Sequence, residues 1–216
     1  MQAESGSIER DRAFIAGQLS REPETESVAR FKAGPGIERL DLTFDIGKLR
    51  AAYQEARDKT EYLGVGIHAL PLTRRPGGAP VTANDLSGRY YLRPDDSYEE
   101  VAREDLVDEA SFTEFAPELK GSYFEFVHRQ LTARFPIGRM RVLSKDSFTC
   151  NSWHRDPEPR LHIPIITNPG SLFVVNHHVT HLPADGSVYF TDTRGYHTAL
   201  NGGDDPRVHI VAALPG

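Results

Sequence analysis

A series of short β-favouring runs fills the sequence from residue 139 to residue 213. The runs are Arg139–Ser144, Phe148–Trp153, Arg160–Ile166, Ser171–Asn176, Ser187–Thr191, Gly195–Leu200 and Arg207–Ala213. Turn-forming stretches separate them, such as Asn168-Pro169-Gly170 and Asn201-Gly202-Gly203-Asp204. Many short strands separated by turn signals are typical of an antiparallel sandwich or barrel. The pattern therefore predicts a β sandwich of the jelly-roll kind over about residues 138–214.

The sequence before this β-rich half mixes predicted strands and helices. We predict a strand at Ile37–Phe44, a helix from an Asp45 cap to about Asp58, a β-leaning segment at Gly64–Leu72, a loop at Thr73–Pro80, and helices at about Tyr98–Leu106 and Tyr123–Arg134. Ser122 and Glu125 have the spacing of a capping box for the last helix. Residues 1–36 are polar and predict a loosely ordered arm. The remaining residues, 37–216, are predicted to form one domain, with a helical layer at about 37–137.

Size and charge limit the class of protein. The chain has 216 residues, 38% of them hydrophobic and 26% charged, which is typical of a globular protein. Its net charge of −6 gives no electrostatic reason to expect binding to nucleic acid or to an anionic membrane. With a single cysteine, Cys150, no intramolecular disulfide can form, and neither a secretory signal nor a membrane span is visible. We expect a cytoplasmic protein in which Cys150 is a small buried hydrophobe, with metal ligation the lesser alternative.

The segment Trp153-His154-Arg155-Asp156 carries a His-x-Asp pattern, and a further histidine, His197, follows on a later predicted strand. Side chains alternate along a strand, so His154 and Asp156 are expected on one face. Two histidine nitrogens and one carboxylate oxygen can hold Fe(II) on one side and leave positions open on the other. Zinc remains possible for this ligand set, although the His-Glu-x-x-His pattern of a zinc protease is absent.

Basic residues on the later strands suggest a second part of the site. Arg207 is expected to anchor a dicarboxylate co-substrate, because its planar guanidinium matches a carboxylate with two hydrogen bonds. The alternative is a buried structural ion pair with Asp192 or Asp204. Arg160 and His162 share one face of their strand, which is either a polar outer face or, as we favour, a face directed at a bound acid.

A denser histidine cluster, consisting of His177, His178 and His181, offers an alternative metal site. On a strand, His177 and His178 point to opposite sides and cannot chelate one ion together. The pattern therefore favours His154, Asp156 and His197 as ligands, and one histidine of the cluster is expected at most to form a hydrogen bond at the pocket rim.

Several segments together resemble the aspartyl/asparaginyl β-hydroxylase-like family. They are Arg139–Leu143, Trp153–Asp156, Arg160–Pro169, Asp192–Asn201 and Arg207–Val211, with Phe44–Ile46, Ala69–Thr73 and Phe115–Leu119 in the helical half. The resemblance covers most of residues 38–214. It implies a double-stranded β-helix core, similar to that of cupins, and an oxygenase that depends on Fe(II), 2-oxoglutarate and O2.

The resemblance also implies roles for individual residues. His154, Asp156 and His197 would bind iron, Arg207 would bind the distal carboxylate of 2-oxoglutarate, and His162 would lie beside the co-substrate. Arg160 would reach a carboxylate of either the co-substrate or the substrate. We also expect Arg160 and Trp153 to be substrate-binding residues. The carboxylate ligand Asp156 is lacking in the vertebrate-type peptide hydroxylases of the family, so the chain is more similar to the bacterial branch that includes proline cis-4-hydroxylase. A serine that assists the arginine in some members has two possible counterparts, Ser144 and Ser147.

The sequence thus predicts a dioxygenase that hydroxylates a C–H bond of an amino acid or amino-acid-derived substrate. The substrate would be free, peptidyl or a biosynthetic intermediate, it would bear a carboxylate, and succinate and CO2 would be the co-products. The alternative is a cupin-like metal- or ligand-binding protein without turnover, since the spacing of His197 and Asn201 resembles a cupin motif. Hydroxylation of lipid-linked acyl chains is disfavoured because no membrane segment is visible.

Overall fold

The computed structural model describes most of the chain from residue 36 onward. The described residues are 13–17, 20, 36–59, 67–78, 81–86, 92–94, 100–102, 107–176 and 178–215, with the backbone alone at 59, 67, 83–84, 92–94 and 100–102. Residues 13–17 are helical, and the rest of the predicted arm, apart from residues 20 and 36, lies outside the described residues.

Three helices and several short strands make up the first part of the chain from residue 37 onward, among the described residues. Its elements are β1 (Ile37–Thr43), α1 (Ile46–Lys59), β2 (Ile67–Pro71), β3 (Thr73–Arg74), α2 (Ala83–Leu86), β4 (Leu92–Pro94), β5 (Glu100–Ala102), β6 (Glu114–Phe115) and α3 (Tyr123–Thr132), with 3-10 turns at Glu109–Ser111 and Pro117–Leu119. The Asp45 carboxylate accepts a hydrogen bond from the backbone N–H of Lys48 at 3.0 Å, as the predicted cap of α1 requires.

The second part of the chain is entirely β. Its strands are β7 (Met140–Lys145), β8 (Thr149–Cys150), β9 (Arg160–Ile166), β10 (Ser171–Val175), β11 (His178–Thr180), β12 (Ser187–Thr191), β13 (His197–Asn201) and β14 (Arg207–Ala213). Every run predicted from the sequence overlaps one of these strands, and only β11 lies outside the predicted runs.

These strands form two antiparallel sheets that together are a double-stranded β-helix. The larger sheet has the order β1-β12-β9-β14-β7-β2, and the smaller has the order β11-β10-β13-β8. From β7 onward the chain passes repeatedly between the two sheets, so that strands distant in sequence become neighbours, as β9 and β14 do. The predicted fold class, mainly β with N-terminal helices and a jelly-roll core, is confirmed.

Both faces of the central strands β9 and β14 of the larger sheet are buried, and they have different chemistry. On β9, Leu161 and Ile163 belong to the main hydrophobic core. Arg160 and His162 project to the opposite face, between the sheets, where the His162 ring lies 5.1 Å from the ring of Phe173 on the smaller sheet. The strand alternation therefore separates an apolar outer core from a polar interior.

Helices α1 and α3 cover the outer face of the larger sheet. Their fully buried positions are Leu49, Phe124, Val127 and Leu131. These side chains join the core formed by Val142, Ile163, Val208 and Ile210 of the sheet. Phe124, Val127 and Leu131 recur at helical spacing along α3, and the helices give the central strands the second hydrophobic partner that they need.

Two predictions for the helical half were wrong. Residues Glu100–Ala102 form a strand that pairs with Leu92–Pro94, although a helix was expected there. Pairing between strands satisfies the backbone over a stretch too short for periodicity to identify, and Val101 is β-branched. The capping box of α3 is also incomplete, because the Ser122 side chain makes no capping hydrogen bond and Glu125 accepts from the N–H of Gly121 instead.

The predicted loop at Thr73–Pro80 is regular at its start, where Thr73–Arg74 pairs with Glu114–Phe115. Among the described residues, no helix is long and apolar enough to span a membrane.

Replacement of Leu131 by alanine should destabilise the protein by about 2–5 kcal/mol, because it leaves a cavity between α3 and the sheet. Arg129→Ala on the exposed face of the same helix is the matched control and should change the free energy of unfolding by less than about 0.5 kcal/mol. Urea denaturation of the two variants measures both values. Equal losses would contradict the packing described for α3.

Candidate metal centre

His154, Asp156 and His197 converge between the two sheets. One ligand atom from each of the three lies within 4.8 Å of the others, and all three residues are buried. Nε2 of His154 is 4.0 Å from Oδ1 of Asp156, and Nε2 of His197 is 3.7 Å from Oδ2 of the same carboxylate. Two imidazole nitrogens and a carboxylate oxygen therefore surround one point, as a metal with a two-histidine, one-carboxylate ligand set requires.

Backbone pairing fixes the relative position of the two histidines. The N–H of His154 donates to the carbonyl of His197 at 3.2 Å, and the N–H of His197 donates to the carbonyl of His154 at 3.0 Å. This isolated bridge, rather than a continuous strand through the His-x-Asp segment, joins residue 154 to β13. The N–H of Asp156 donates to the carbonyl of Thr193 at 2.8 Å, which anchors the third ligand to the same segment of chain.

Each imidazole is oriented by a hydrogen bond from its other nitrogen. Nδ1 of His154 donates to the carbonyl of Ser152 at 2.7 Å, and Nδ1 of His197 donates to the carbonyl of Gly195 at 3.1 Å. A carbonyl can only accept, so the proton of each neutral ring sits on Nδ1 and leaves the Nε2 lone pair free. This arrangement is the one by which proteins orient histidine ligands toward a metal.

The carboxylate ligand is held by a buried ion network. Nε of Arg160 lies 3.3 Å from Oδ2 of Asp156, and Nη2 of Arg160 lies 2.8 Å from Glu109, which also pairs with Arg139. Burial alone would raise the pKa of Asp156, but the charge of Arg160 and the neighbouring histidines outweigh it and lower that pKa. Asp156 is therefore an anion ready to bind a cation.

His197 is a neutral base near neutral pH. Burial lowers its pKa to about 4, against the opposing influence of Asp156. Because a metal binds the unprotonated imidazole, little proton competition is expected at this ligand above about pH 5.

The polar interior beyond the triad contains two buried groups that lack partners. Nη2 of Arg207 and Nε2 of His209 are both buried without a hydrogen-bond partner among the described residues. Burial lowers the pKa of Arg207 to about 10, and no carboxylate offsets it. The alternative of an ion pair with Asp192 or Asp204 is not observed, since Asp192 pairs with Arg194. A buried guanidinium without an anion fits a site for an acidic ligand.

His162 contacts two interior residues, His209 and Phe173. Its Nδ1 is 3.4 Å from Nδ1 of His209, and its pKa is well below the usual value because of burial and the charge of Arg207. His162 is therefore a neutral polar residue that lines the interior, next to the place where a ligand of Arg207 would lie.

The two residues predicted to contact the substrate have different surroundings. Trp153 is 41% exposed and adjoins His154 at the rim of the site. Arg160 is directed into the site, but its three nitrogens face Asp156, Glu109 and Glu158. These contacts make Arg160 a partner of Asp156. They do not support the prediction that Arg160 anchors a carboxylate of the substrate.

The alternative ligands lie elsewhere. His178 is exposed, His181 is buried and donates from Nδ1 to the carbonyl of Ser171 at 3.0 Å, and His177 lies outside the described residues. Cys150 is exposed, so the expectation of a buried hydrophobe was wrong. It lies at the outer edge of the smaller sheet, where β8 is the last strand, and an edge side chain is not enclosed by a second neighbour.

Three interior residues had not been identified as site residues from the sequence. His209 shares a face with Arg207 two positions earlier, a signal that the sequence does contain. Lys145 is the register partner of Arg207 on β7, and Glu109 comes from a 3-10 turn in the helical half. Neither of those two can be found without knowing the strand order. Of the two candidate serines, Ser144 shares the outer face with Met140 and Val142, and Ser147 donates to the carbonyl of Asp204.

Solved structures of 2OG-Fe(II) oxygenases are similar to this chain at low identity. An oxidoreductase of the 2OG-Fe(II) oxygenase family from Burkholderia pseudomallei aligns over 85% of this chain and 92% of its own, with 15% identity and a TM-score of 0.49. The viral collagen prolyl hydroxylase of Paramecium bursaria Chlorella virus-1, solved as a 2OG complex, aligns over 83% and 96%, with 10% identity and a TM-score of 0.47.

A cupin domain from Bordetella pertussis aligns over 36% of this chain and 81% of its own, with 18% identity and a TM-score of 0.32. No family model matches the sequence, and no curated protein matches it. These similarities assign no activity to this chain.

Substitution of Asp156 by alanine should abolish metal binding while the fold is retained. The loss of a ligand should exceed the about 10- to 100-fold loss of affinity that follows removal of an outer partner. Equilibrium dialysis with Mn(II) measures the affinity, and His178→Ala, at an exposed histidine, is the control that should bind as the wild type does. Loss of binding in His178→Ala and not in Asp156→Ala would show that the wrong residues have been chosen.

Substitution of Arg160 by methionine should weaken metal binding by about 10- to 100-fold, because it removes the cation that orients Asp156 and favours its anionic form. Arg194→Met, which breaks the exposed pair with Asp192, is the matched control and should leave the affinity unchanged. The same dialysis measures both variants. An unchanged affinity in folded Arg160→Met would contradict the role given to Arg160.

Proposed function

We propose that this protein is an Fe(II)/2-oxoglutarate-dependent dioxygenase of the kind found in the aspartyl/asparaginyl β-hydroxylase-like family. It would hydroxylate a C–H bond of an amino acid or of an amino-acid-derived substrate, free, peptidyl or part of a biosynthetic intermediate. Succinate and CO2 would be the co-products. One observation carries the proposal: the same buried interior contains the two-histidine, one-carboxylate ligand set and Arg207, a buried cation that pairs with no anion among the described residues.

The triad supplies the metal site of the proposed enzyme. His154 and His197 would each offer Nε2, and Asp156 a carboxylate oxygen, to Fe(II). Bound Fe(II), with 2-oxoglutarate and O2, supplies the oxidation that the protein's own side chains cannot perform. The residues of the chain hold the ligands in place: Nδ1 of each histidine is tied to a backbone carbonyl, and Arg160 holds the carboxylate.

Arg207 would bind the distal carboxylate of 2-oxoglutarate. The co-substrate has a 2-oxo acid group at one end, suited to a metal with open positions, and a carboxylate at the other. The unpartnered Nη2 of Arg207 and Nε2 of His209 lie on the same face of β14, and His162 lies beside them. A bound dianion would satisfy buried groups that otherwise have no partner.

The substrate would enter on the side of the exposed rim. Trp153 adjoins the ligand His154 there and offers an apolar surface. Since Arg160 is engaged by three carboxylates of the protein, a carboxylate of the substrate would need another cation. We propose a small-molecule or peptide substrate, and residues 37–216 as a single oxygenase domain. A cytoplasmic setting is also proposed, since an exposed thiol at Cys150 suits a reducing compartment.

A cupin-like protein that binds a metal or ligand without turnover is the second candidate function. The shared jelly-roll architecture favours it, as does the spacing of His197 and Asn201. In this chain, however, the Asn201 amide donates to the backbone carbonyls of Lys145, Asp146 and Asp205, so it ties turns together. The carboxylate at Asp156 favours the oxygenase.

Release of succinate from 2-oxoglutarate tests the proposal. Purified protein with Fe(II), ascorbate and O2 should release succinate faster in the presence of some amino acids or short peptides, and the product should gain one oxygen atom by mass spectrometry. Replacement of Fe(II) by Zn(II) should abolish the reaction. Absence of succinate with every substrate in the panel would overturn the oxygenase and favour the cupin-like alternative.

Substitution of Arg207 by methionine should raise the concentration of 2-oxoglutarate needed for half-maximal succinate release by about 10- to 100-fold, as expected for the loss of hydrogen bonds between charged groups. Arg207→Lys retains the charge but loses the paired hydrogen-bond geometry. Its half-maximal concentration of 2-oxoglutarate should therefore lie between those of the wild type and Arg207→Met. Metal affinity is the control and should be unchanged. An unaltered demand for 2-oxoglutarate in Arg207→Met would contradict the assignment.

A further inference from the structure

A second cation faces the same interior as Arg207. Lys145, the last residue of β7, is directly opposite Arg207 of β14 in the antiparallel register. Residues in such a pair share one face of the sheet, and their Cβ atoms lie about 4.5–5.5 Å apart. Lys145 is 3% exposed and Arg207 is 4% exposed. Two cationic side chains are therefore buried next to each other between the sheets.

No carboxylate of the described residues pairs with either of these cations. The side-chain partner of Lys145 is the neutral amide of Asn151, whose Oδ1 accepts from Nζ. Burial and the charge of Arg207 lower the pKa of Lys145 to about 8. Cys150 and Asp146 favour the charged form of Lys145, but neither pairs with it, and the Asp146 carboxylate is bound to His68 at 3.0 Å. An anion between Lys145 and Arg207 would remove an unfavourable arrangement of two like charges.

Both cations have hydrogen-bonding capacity to spare. An ammonium group has three donors, and Lys145 uses one of them on Asn151. Nη2 of Arg207 donates to nothing among the residues described. A carboxylate has two oxygens that can accept several hydrogen bonds, so one carboxylate can bind both side chains at once. The neighbouring amide of Asn201 is occupied by backbone carbonyls and does not compete.

We propose that Lys145 is a second binding residue for the distal carboxylate of 2-oxoglutarate, acting together with Arg207; the proposal rests on the function proposed above. The pair forms a two-cation region of the interior between the sheets. It selects a 2-oxo acid that carries a second carboxylate and rejects one of the same length that ends in a methyl group. Lys145 is thus a determinant of co-substrate specificity.

A purely structural role for Lys145 makes a different prediction. Its bond to Asn151 connects β7 with the segment that leads to His154, and the N–H of Asn151 donates to the carbonyl of Ala199 on β13. If Lys145 served only as this connection, its loss would disturb the metal site and weaken every ligand equally. If it binds the distal carboxylate, only ligands with that carboxylate are affected.

Calorimetric titration of the Mn(II)-loaded protein without O2 distinguishes the two roles. The ligands are 2-oxoglutarate and 2-oxopentanoate, which has a methyl group in place of the distal carboxylate. Lys145→Met should weaken 2-oxoglutarate by about 10- to 100-fold and leave 2-oxopentanoate unchanged. Lys145→Arg should retain most of the affinity for 2-oxoglutarate, and the exposed Lys120→Met should match the wild type.

Lys145→Gln provides a second test that keeps a hydrogen-bonding group for Asn151 and removes the charge. It should lose the preference for 2-oxoglutarate as Lys145→Met does. Equal weakening of both ligands, or a preference unchanged in both variants, would overturn the role of Lys145 while the proposed function stands. A wild type that binds 2-oxoglutarate no better than 2-oxopentanoate would overturn the proposed function and this inference with it.

Discussion

The two histidines of the triad are backbone hydrogen-bond partners of each other, and the whole site depends on this pairing. It brings together two segments that are distant in sequence and fixes their separation through two N–H···O bonds. Because each ring is also tied to a backbone carbonyl of its own segment, the direction of both Nε2 atoms follows from the backbone. Asp156 joins them through a backbone bond to Thr193 and an ion pair with Arg160. The positions of the three side chains are thus set by backbone hydrogen bonds and by the ion pair with Arg160.

The interior of the β-helix has two regions: in one, the buried cations are paired with carboxylates, and in the other they are not. Around Asp156, the guanidinium groups of Arg160 and Arg139 are matched by Glu109 and by Asp156 itself. No carboxylate of the described residues pairs with Arg207 or with Lys145, whose side-chain partner is the amide of Asn151. A buried charge is stable only with a partner of opposite charge. The charges around Asp156 are therefore paired within the protein, whereas the two cations Arg207 and Lys145 would be stabilised by a bound anion. The helices make this possible, because they supply the hydrophobic core on the other face of the larger sheet.

The sequence predicted the architecture well and the site in part. Strands β9, β12 and β14 have the predicted bounds, because a continuous run between turn residues leaves little choice. The His-x-Asp pattern and Arg207 indicated the ligands, since chemistry of this kind needs few residue types. Lys145 and Glu109 could not be predicted, because their positions depend on which strand lies beside which. The helix expected at Tyr98–Leu106 failed where local pairing with Leu92–Pro94 prevailed over a weak pattern. Arg160 lies on the predicted inner face of β9, but its three carboxylate partners within the protein were not predicted.

The central claim is that Fe(II) and 2-oxoglutarate bind together at the triad and at the cationic end of the interior. Absorption spectroscopy without O2 tests it most directly. Addition of 2-oxoglutarate to the Fe(II)-loaded protein should produce a charge-transfer band that requires both components and is absent from Asp156→Ala. Absence of the band in the wild type at saturating 2-oxoglutarate, or the same band in Asp156→Ala, would contradict the account.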